Sequence, residues 1–278
     1  MEIGTGMTTE LTEQAQRNPP MDLNSLRAFL FDLDGCVYTG DTLVPGVQAV
    51  IHALREKGRR LLFLTNNSRE AGEEIQVKLD RLGVRADREE ILSATEIVGP
   101  LVRERFGPSR VLAVGSDTLR RLLREAGHSL LALEAYREAQ VVVVGHDSDF
   151  DYGKLTALSR AVASGAAFLA VNNDPRLPVE EGEFYPGCGS LVEAVAAAAG
   201  HRPEVLGKPM PHIFRAALQR LAVRPQEAVM IGDSPTSDIQ GAQGVGLKTI
   251  WLAPDGAASG GAHPDLTIHH FSELLPRL

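Results

Sequence analysis

The sequence predicts an α/β protein with mostly parallel sheets, on three observations. Short, continuous apolar runs recur along the chain, as expected of strands buried on both faces. Helical patterns of about ten to fifteen residues separate them, which is the spacing of βαβ units. Glycine and proline punctuate the ends of these segments. In order, Ala28 to Phe31 is the first strand. Pro45 to Lys57 reads as a helix, with proline in its first turn and Gly58 after its end. Leu61 to Leu64 is a second buried strand, and Ser68 to Leu82 a helix with Ser68 as N-cap and Gly83 as stop. Further strands fall at Val111–Val114, Val141–Val144, Phe168–Val171, Ala228–Ile231 and Thr249–Leu252. Helical patterns lie between them at Asp117–Ala126, Leu155–Ala163, Leu191–Ala199 and Ile213–Leu221. Gly256 to Gly261 is a small-residue surface loop before a last strand, Leu266–Ile268. No internal repeat of fixed period is present.

At 278 residues the chain has room for two modest domains, taking about 150 residues for each. Acids outnumber bases 36 to 28, for a formal charge of −8. That argues against nucleic acid as a partner, since such binding needs a basic surface to displace counterions. It does not exclude a small anionic substrate, because a local site can oppose the global sign. Cys36 and Cys188 cannot make a disulfide framework and have no metal-ligand spacing. No apolar run approaches the ~18 residues of a membrane span, so no membrane partner is expected. Met1 to Pro20 is polar, lacks a signal-peptide core, and reads as a flexible tail of a cytoplasmic protein.

In open parallel sheets, ligands bind beyond the carboxyl ends of the strands. After the first strand comes Asp32-Leu33-Asp34-Gly35. Residues two apart on an extended chain share a face, so Asp32 and Asp34 point the same way. Two carboxylates that close repel unless they share a cation or a proton. After the second strand comes Thr65-Asn66-Asn67-Ser68, a hydroxyl and two amides suited to an oxyanion at a helix start. Gly207-Lys208-Pro209 precedes a helix, which places the lysine between backbone-restricting residues. Gly232-Asp233 follows the strand ending at Ile231, with Asp238 five residues further on. Carboxylates plus water are what Mg²⁺ prefers. A lysine, a hydroxyl and backbone N–H groups are what a phosphoryl group needs for charge stabilisation. Each piece alone has a structural reading as a turn, a cap or a loop. Their common position after buried strands or before helices is what gives the set its weight.

With these motifs in this order, the sequence resembles the haloacid dehalogenase-like hydrolase superfamily from about Leu26 onward. Thr65 to Ser68, Val144-Gly145 with Asp147 and Tyr152, Asn172 to Asp174, Pro186 to Gly189 and Gly207 to Pro209 are similar to one branch. That branch holds the NagD-type, p-nitrophenyl phosphate, phosphoglycolate and pyridoxal phosphate phosphatases. The resemblance implies a Rossmann-like, mostly parallel three-layer core with an inserted α/β cap domain of the C2 type. Spacing agrees: Asp34 and Thr65 are too close for a globular insertion, whereas Thr65 and Lys208 leave room for a whole cap. The expected division is a tail over 1–23, a core of 24–91 and 203–278, and a cap over 92–202.

By the same resemblance, Asp32 is the nucleophile that forms an aspartyl-phosphate, and Asp34 the general acid and base. Thr65 and Lys208 hold the transferring oxygens, and Lys208 also holds Asp32. Mg²⁺ is held by Asp32, the Asp34 carbonyl and Asp233, while Asp238 orients the metal's water shell. Gly35, Asn66, Asn67, Asn172, Asp174 and Gly189 are the expected phosphate or substrate contacts. One departure is that Ser234-Pro235-Thr236-Ser237 lacks the further acid that relatives often carry between the two aspartates. Pro235 suits the first turn of a helix there.

The activity implied is Mg²⁺-dependent hydrolysis of a small phosphorylated metabolite. Two other readings stay open: phosphoryl transfer to an acceptor other than water, and a catalytically silent phosphate-binding protein. A sugar-nucleotide transferase could use the DxD pair but has no need of Lys208 and Asp233. A homodimer through the cap follows by analogy alone. Asp147, Asp149, Asp151 and Gly153 imitate a calcium loop, but the glycine falls one place late and Leu158 stands where a glutamate is required. Cys36 reads as a small, partly buried residue. His263, His269 and His270 read as surface residues, and Arg103, Glu104 and Arg105 as a solvated helix face.

Overall fold

The computed structural model describes residues 21–178, 183–254 and 256–278, so the first twenty residues of the expected tail lie outside the described residues. In chain order the strands are β1 (Ala28–Phe31), β2 (Tyr38–Thr39), β3 (Thr42–Leu43), β4 (Arg60–Thr65), β5 (Ile91–Ser93), β6 (Arg110–Val114), β7 (Ser129–Leu130), β8 (Val141–Val144), β9 (Ala167–Ala170), β10 (Arg176–Pro178), β11 (Phe184–Pro186), β12 (Glu204–Val205), β13 (Ala228–Gly232), β14 (Lys248–Leu252) and β15 (Leu266–Ile268). The main helices are α1 (Val47–Glu56), α2 (Gly72–Arg81), α3 (Ala94–Phe106), α4 (Asp117–Glu125), α5 (Tyr152–Ala163), α6 (Cys188–Ala199) and α7 (Pro211–Leu221).

Two sheets result. One has six strands in the order β15-β14-β13-β1-β4-β5, the other five in the order β12-β9-β8-β6-β7. Every pairing in both sheets is parallel. The antiparallel pairs are the small hairpins β2-β3 and β10-β11. In the six-stranded sheet, β1 sits between β4 and β13, so the chain leaves it in opposite directions. That is the switch point at which open α/β sheets bind ligands.

The alternation of side chains along β1 explains the layers. Phe29 and Phe31 belong to one core with Val47, Val50 and Leu54 of α1 and Ile75 and Leu79 of α2. Ala28 and Leu30 face the other way, into a core with Ile213, Phe214 and Ala217 of α7. Helices therefore cover both faces of a central sheet, giving three layers. The second core continues through Ile97, Val98 and Val102 of α3 into Val111, Val142 and Leu169 of the five-stranded sheet. At about 25 cal/mol per Å² of apolar area, these two cores carry most of the driving force for folding.

The predicted strands hold with ends shifted by one residue at most, while no strand was expected at β5, β7, β12 or the short hairpins. The helix starts differ more. Helix α2 begins at Gly72, behind Ala71, instead of after Ser68. The reason is Asn67, whose Oδ1 accepts the N–H groups of Arg69 (2.8 Å) and Glu70 (2.9 Å) and closes a separate turn first. Helix α1 starts after Gly46, in the left-handed region (φ +84°), leaving Pro45 outside it. Ser234 accepts from Ser237 N–H (3.2 Å), and Pro235 opens the helical turn over Pro235–Gln240, as its position suggested. Among the described residues no helix is long and apolar enough to cross a membrane.

Candidate active site

Parallel register brings the sequence motifs to one edge. Phe31 is level with Phe63 of β4 and with Ile231 of β13. Asp32, Thr65 and Asp233 therefore emerge together at the carboxyl ends of three adjacent strands. Asp32 N–H continues the ladder to Ile231 O at 2.9 Å, which keeps its backbone in line with the strand. Just beyond it the chain turns sharply at Gly35 (φ +90°). A side chain at position 35 would strike the Asp233 carboxylate, so the backbone after Asp34 lies directly against that group.

Lys208 enters from the loop before α7 and is buried. Its ammonium donates to Asp32 and, at 2.7 Å, to Asp238 Oδ1. It also lies 3.5 Å from Leu64 O, one residue before Thr65. Asp238 is completely buried, and its Oδ2 accepts from Ser234 N–H at 3.0 Å. Trp251, which sequence reasoning missed, fixes the neighbouring aspartate by donating from Nε1 to Asp233 O at 2.9 Å. The Thr65 hydroxyl accepts from Asn67 N–H at 3.1 Å, which leaves its own hydrogen to donate.

Carboxylate oxygens of Asp32, Asp233 and Asp238 all lie within 4.8 Å of one another. Three carboxylates facing one ammonium leave two uncompensated negative charges in a largely buried space. The acidities register the strain. Burial holds Asp32 well above the usual carboxylate range, with the Lys208 charge pulling the other way. Burial, then the charge of Asp238, pushes Asp233 up to about 6. Burial works to lower the Lys208 pKa, but Asp238 and Asp32 outweigh it and the ammonium stays charged. An all-oxygen donor set two negative charges in excess fits a divalent cation.

Asp34 stands outside this cluster. It is open to solvent, yet the protein crowded around it lifts its pKa, against the pull of Lys78 and Lys208. Lys78, also missed from the sequence, lies with its ammonium 3.8 Å from the centre of the Tyr38 ring. Across the opening, the five-stranded sheet presents His146, whose pKa falls through burial and through the charge of Arg69 from the other sheet's loop.

The expected substrate contacts separate into two groups. Asn67 spends its side chain on its own turn and on Glu70 Oε2 (3.0 Å). Asn66, Asn172 and Asp174 join one network with the Lys208 backbone. Asn172 Nδ2 donates to Asn66 O at 2.6 Å, and Asp174 N–H donates to Asn172 Oδ1 at 3.1 Å. Gly189 opens α6 against that segment, donating from its N–H to Asp174 O at 2.9 Å with no space for a side chain.

The remaining signals resolve plainly. In the calcium-like loop the Lys154 ammonium donates to Asp147 Oδ2 and to Asp149 O, both at 2.9 Å, so the chain's own cation occupies the loop. Cys36 is fully buried, more than expected, and burial raises its thiol pKa well above the ordinary value. His263, His269 and His270 are exposed. Arg105 is not merely solvated, since it pairs with Glu204 at the edge strand β12.

The chain matches the family described as haloacid dehalogenase-like hydrolase over residues 29–129, and the HAD-hydrolase-like family over 205–274. It is 32% identical to chronophin of Rattus norvegicus over 273 residues, covering 92% of this chain and 88% of that protein. It is 32% identical to the acid sugar phosphatase of Staphylococcus aureus (strain MRSA252), over 82% of this chain and 86% of that one. The p-nitrophenyl phosphatase of Archaeoglobus fulgidus superposes with a TM-score of 0.84 at 25% identity, over 91% of this chain and 99% of that structure. On its sequence, fold and carboxylate–lysine cluster, the chain belongs to the haloacid dehalogenase-like hydrolases.

Proposed function

We propose that the protein is a Mg²⁺-dependent phosphatase that hydrolyses small phosphomonoesters through an aspartyl-phosphate on Asp32. The observation that carries this reading is the buried Asp32–Lys208–Asp238 arrangement, with Asp233 beside it, at the mouth of the six-stranded sheet. In it Asp32 attacks phosphorus and the leaving oxygen departs with a proton from Asp34. Water, deprotonated by Asp34, then cleaves the aspartyl-phosphate and restores Asp32. The raised pKa of Asp34 suits a group that must first hold a proton. Thr65 donates its hydroxyl hydrogen to a phosphoryl oxygen, and Lys208 offsets charge on another. Asp32, the Asp34 carbonyl and Asp233 would hold Mg²⁺, which supplies charge neutralisation where phosphate meets the carboxylates. Asp238, with both oxygens engaged by protein donors, keeps Lys208 in place and orients the metal's surroundings.

The same proposal divides the chain into a core of 24–91 and 203–278 and a cap of 92–202. The cap covers the opening and favours substrates small enough to be enclosed. The similarity to an acid sugar phosphatase and to a p-nitrophenyl phosphatase supports phosphomonoesters as the substrate class. A panel of phosphorylated metabolites, assayed for free phosphate with Mg²⁺ and with EDTA, tests the reading. Phosphate released without an added acceptor supports hydrolysis. Turnover only with an acceptor establishes transfer instead, and no turnover on any compound favours a silent phosphate binder.

A further inference from the structure

The side chain of Asn66 faces both backbone polar groups of Lys208, a residue 142 positions away. Its Oδ1 accepts Lys208 N–H at 2.7 Å, and its Nδ2 donates to Lys208 O at 3.0 Å. The remaining reach of Nδ2 goes to Asp174 Oδ2 at 3.1 Å. An amide offers two donors and one acceptor oxygen, so these contacts use what Asn66 has. The geometry is close on every side. A side chain on Gly207 would strike Asn66 Oδ1, and Gly207 N–H is already tied to Val171 O at 2.8 Å. Asp174 also decides which end of the amide faces which group. A carboxylate can only accept, so it draws Nδ2 and turns Oδ1 toward Lys208 N–H.

We propose that Asn66 is a positioning residue for Lys208, in place of the direct phosphate contact expected from the sequence, and that Asp174 acts through Asn66. Resting on the phosphatase reading above, this clamp sets where the lysine ammonium stands between Asp32 and Asp238. It also ties the lysine to the segment after β9, so that the sheet opposite the nucleophile helps to hold the phosphoryl-binding charge. The Asn172 donation to Asn66 O seats the same segment on the same residue.

Two measurements test it. The first is a crystal structure of Asn66→Ala, read without reference to activity. The expected result is a Lys208 ammonium displaced from Asp32 or Asp238; an unmoved lysine overturns the proposal even if the enzyme is impaired. The second is p-nitrophenyl phosphate hydrolysis with Mg²⁺. Asn66→Ala is expected to lower kcat about 10- to 100-fold, the scale of a misplaced catalytic group, with KM within about threefold. Asp174→Ala is expected to lower kcat about fivefold or more, and Asp174→Asn, which keeps an acceptor oxygen, to recover most of that loss. The double variant Asn66→Ala/Asp174→Ala is expected to be no worse than Asn66→Ala within about twofold, since one residue acts through the other. Losses that multiply, a KM effect alone, or Asp174→Asn as damaging as Asp174→Ala would overturn the proposal. If Asn66→Ala does not fold, Asp174→Ala takes its place in the crystal and Asp174→Asn remains the kinetic control. A wild-type protein inactive on every ester would overturn the phosphatase reading alone, and the crystal structure would still decide the clamp.

Discussion

Replacing Lys208 by methionine separates the two things that lysine does. Among the described residues its ammonium is the one cation paired with Asp32 and Asp238, and the side chain is only 3% exposed. Methionine fills similar volume without charge, so packing is largely kept. In EDTA the variant must hold three carboxylates within 4.8 Å with no ammonium among them. Breaking a buried ion pair from one side costs about 3–5 kcal/mol. At roughly 2–4 °C per kcal/mol, the melting temperature should fall by roughly 6–20 °C in EDTA at neutral pH. Adding Mg²⁺ should return part of that loss, because a divalent cation replaces the missing positive charge. Activity should not return with it. Losing a preorganised donor to the transferring phosphoryl group costs about 10²–10³ in kcat. Thermal melts with and without Mg²⁺, beside steady-state kinetics, read both effects. A melting temperature in EDTA within about 2 °C of wild type, on the same scale, would refute the charge argument. Near-normal kcat would refute the placement of Lys208 at the reacting group.

Asp32→Asn should abolish turnover, while melts in EDTA show no loss of stability, since one of three crowded negative charges is gone and the amide oxygen still accepts from Lys208. A variant with normal turnover would remove Asp32 as nucleophile. Gly35→Ala should cost about 1–2 kcal/mol for its left-handed backbone, and weaken Mg²⁺ activation as well because the new methyl displaces Asp233; melts and Mg²⁺ titrations at two pH values check both. Proton uptake should oppose Mg²⁺. Asp233 is held at about 6, so Mg²⁺ affinity by calorimetry should weaken as pH falls through that value. The same raised pKa makes the metal-free protein more stable in mild acid: the contribution is fully present below the ordinary aspartate value and lost as pH rises through about 6. Metal-free melts should therefore be higher at pH 5 than at pH 7, and a flat profile would contradict the assignment.

The parts of the fold that sequence reasoning reached are those whose physics is local. Strands buried on both faces must be continuous apolar runs, and β1 and β8 fall where such runs predict. Helix α6 ends at Ala199, where its helical pattern does, and Gly200 supplies the left-handed cap (φ +73°). The start of α2 was misplaced because two polar residues compete for one turn, and Asn67 captures the N–H groups that Ser68 would have needed neighbours to reach. Helix α3 was obscured by Pro100 within it and by a three-residue strand before it. At the site, Asp32, Thr65, Lys208 and Asp233 were legible because their position after strands or before helices is itself the signal. The Asn66–Lys208 clamp was not, since hydrogen bonds between residues 142 apart leave no periodicity or spacing. Asp238 was expected to serve the metal's water shell; the hold it takes on Lys208 needed coordinates to see.

The central claim is that Asp32 carries the phosphoryl group between substrate and water. Rapid acid quench during p-nitrophenyl phosphate turnover with Mg²⁺, followed by peptide mass analysis, tests it most directly. The account predicts a mass gain of one phosphoryl group on the peptide bearing Asp32, lost in Asp32→Asn and in EDTA. Turnover of wild-type protein with no phosphorylated peptide under any quench, or with the phosphoryl group on another residue, would contradict it.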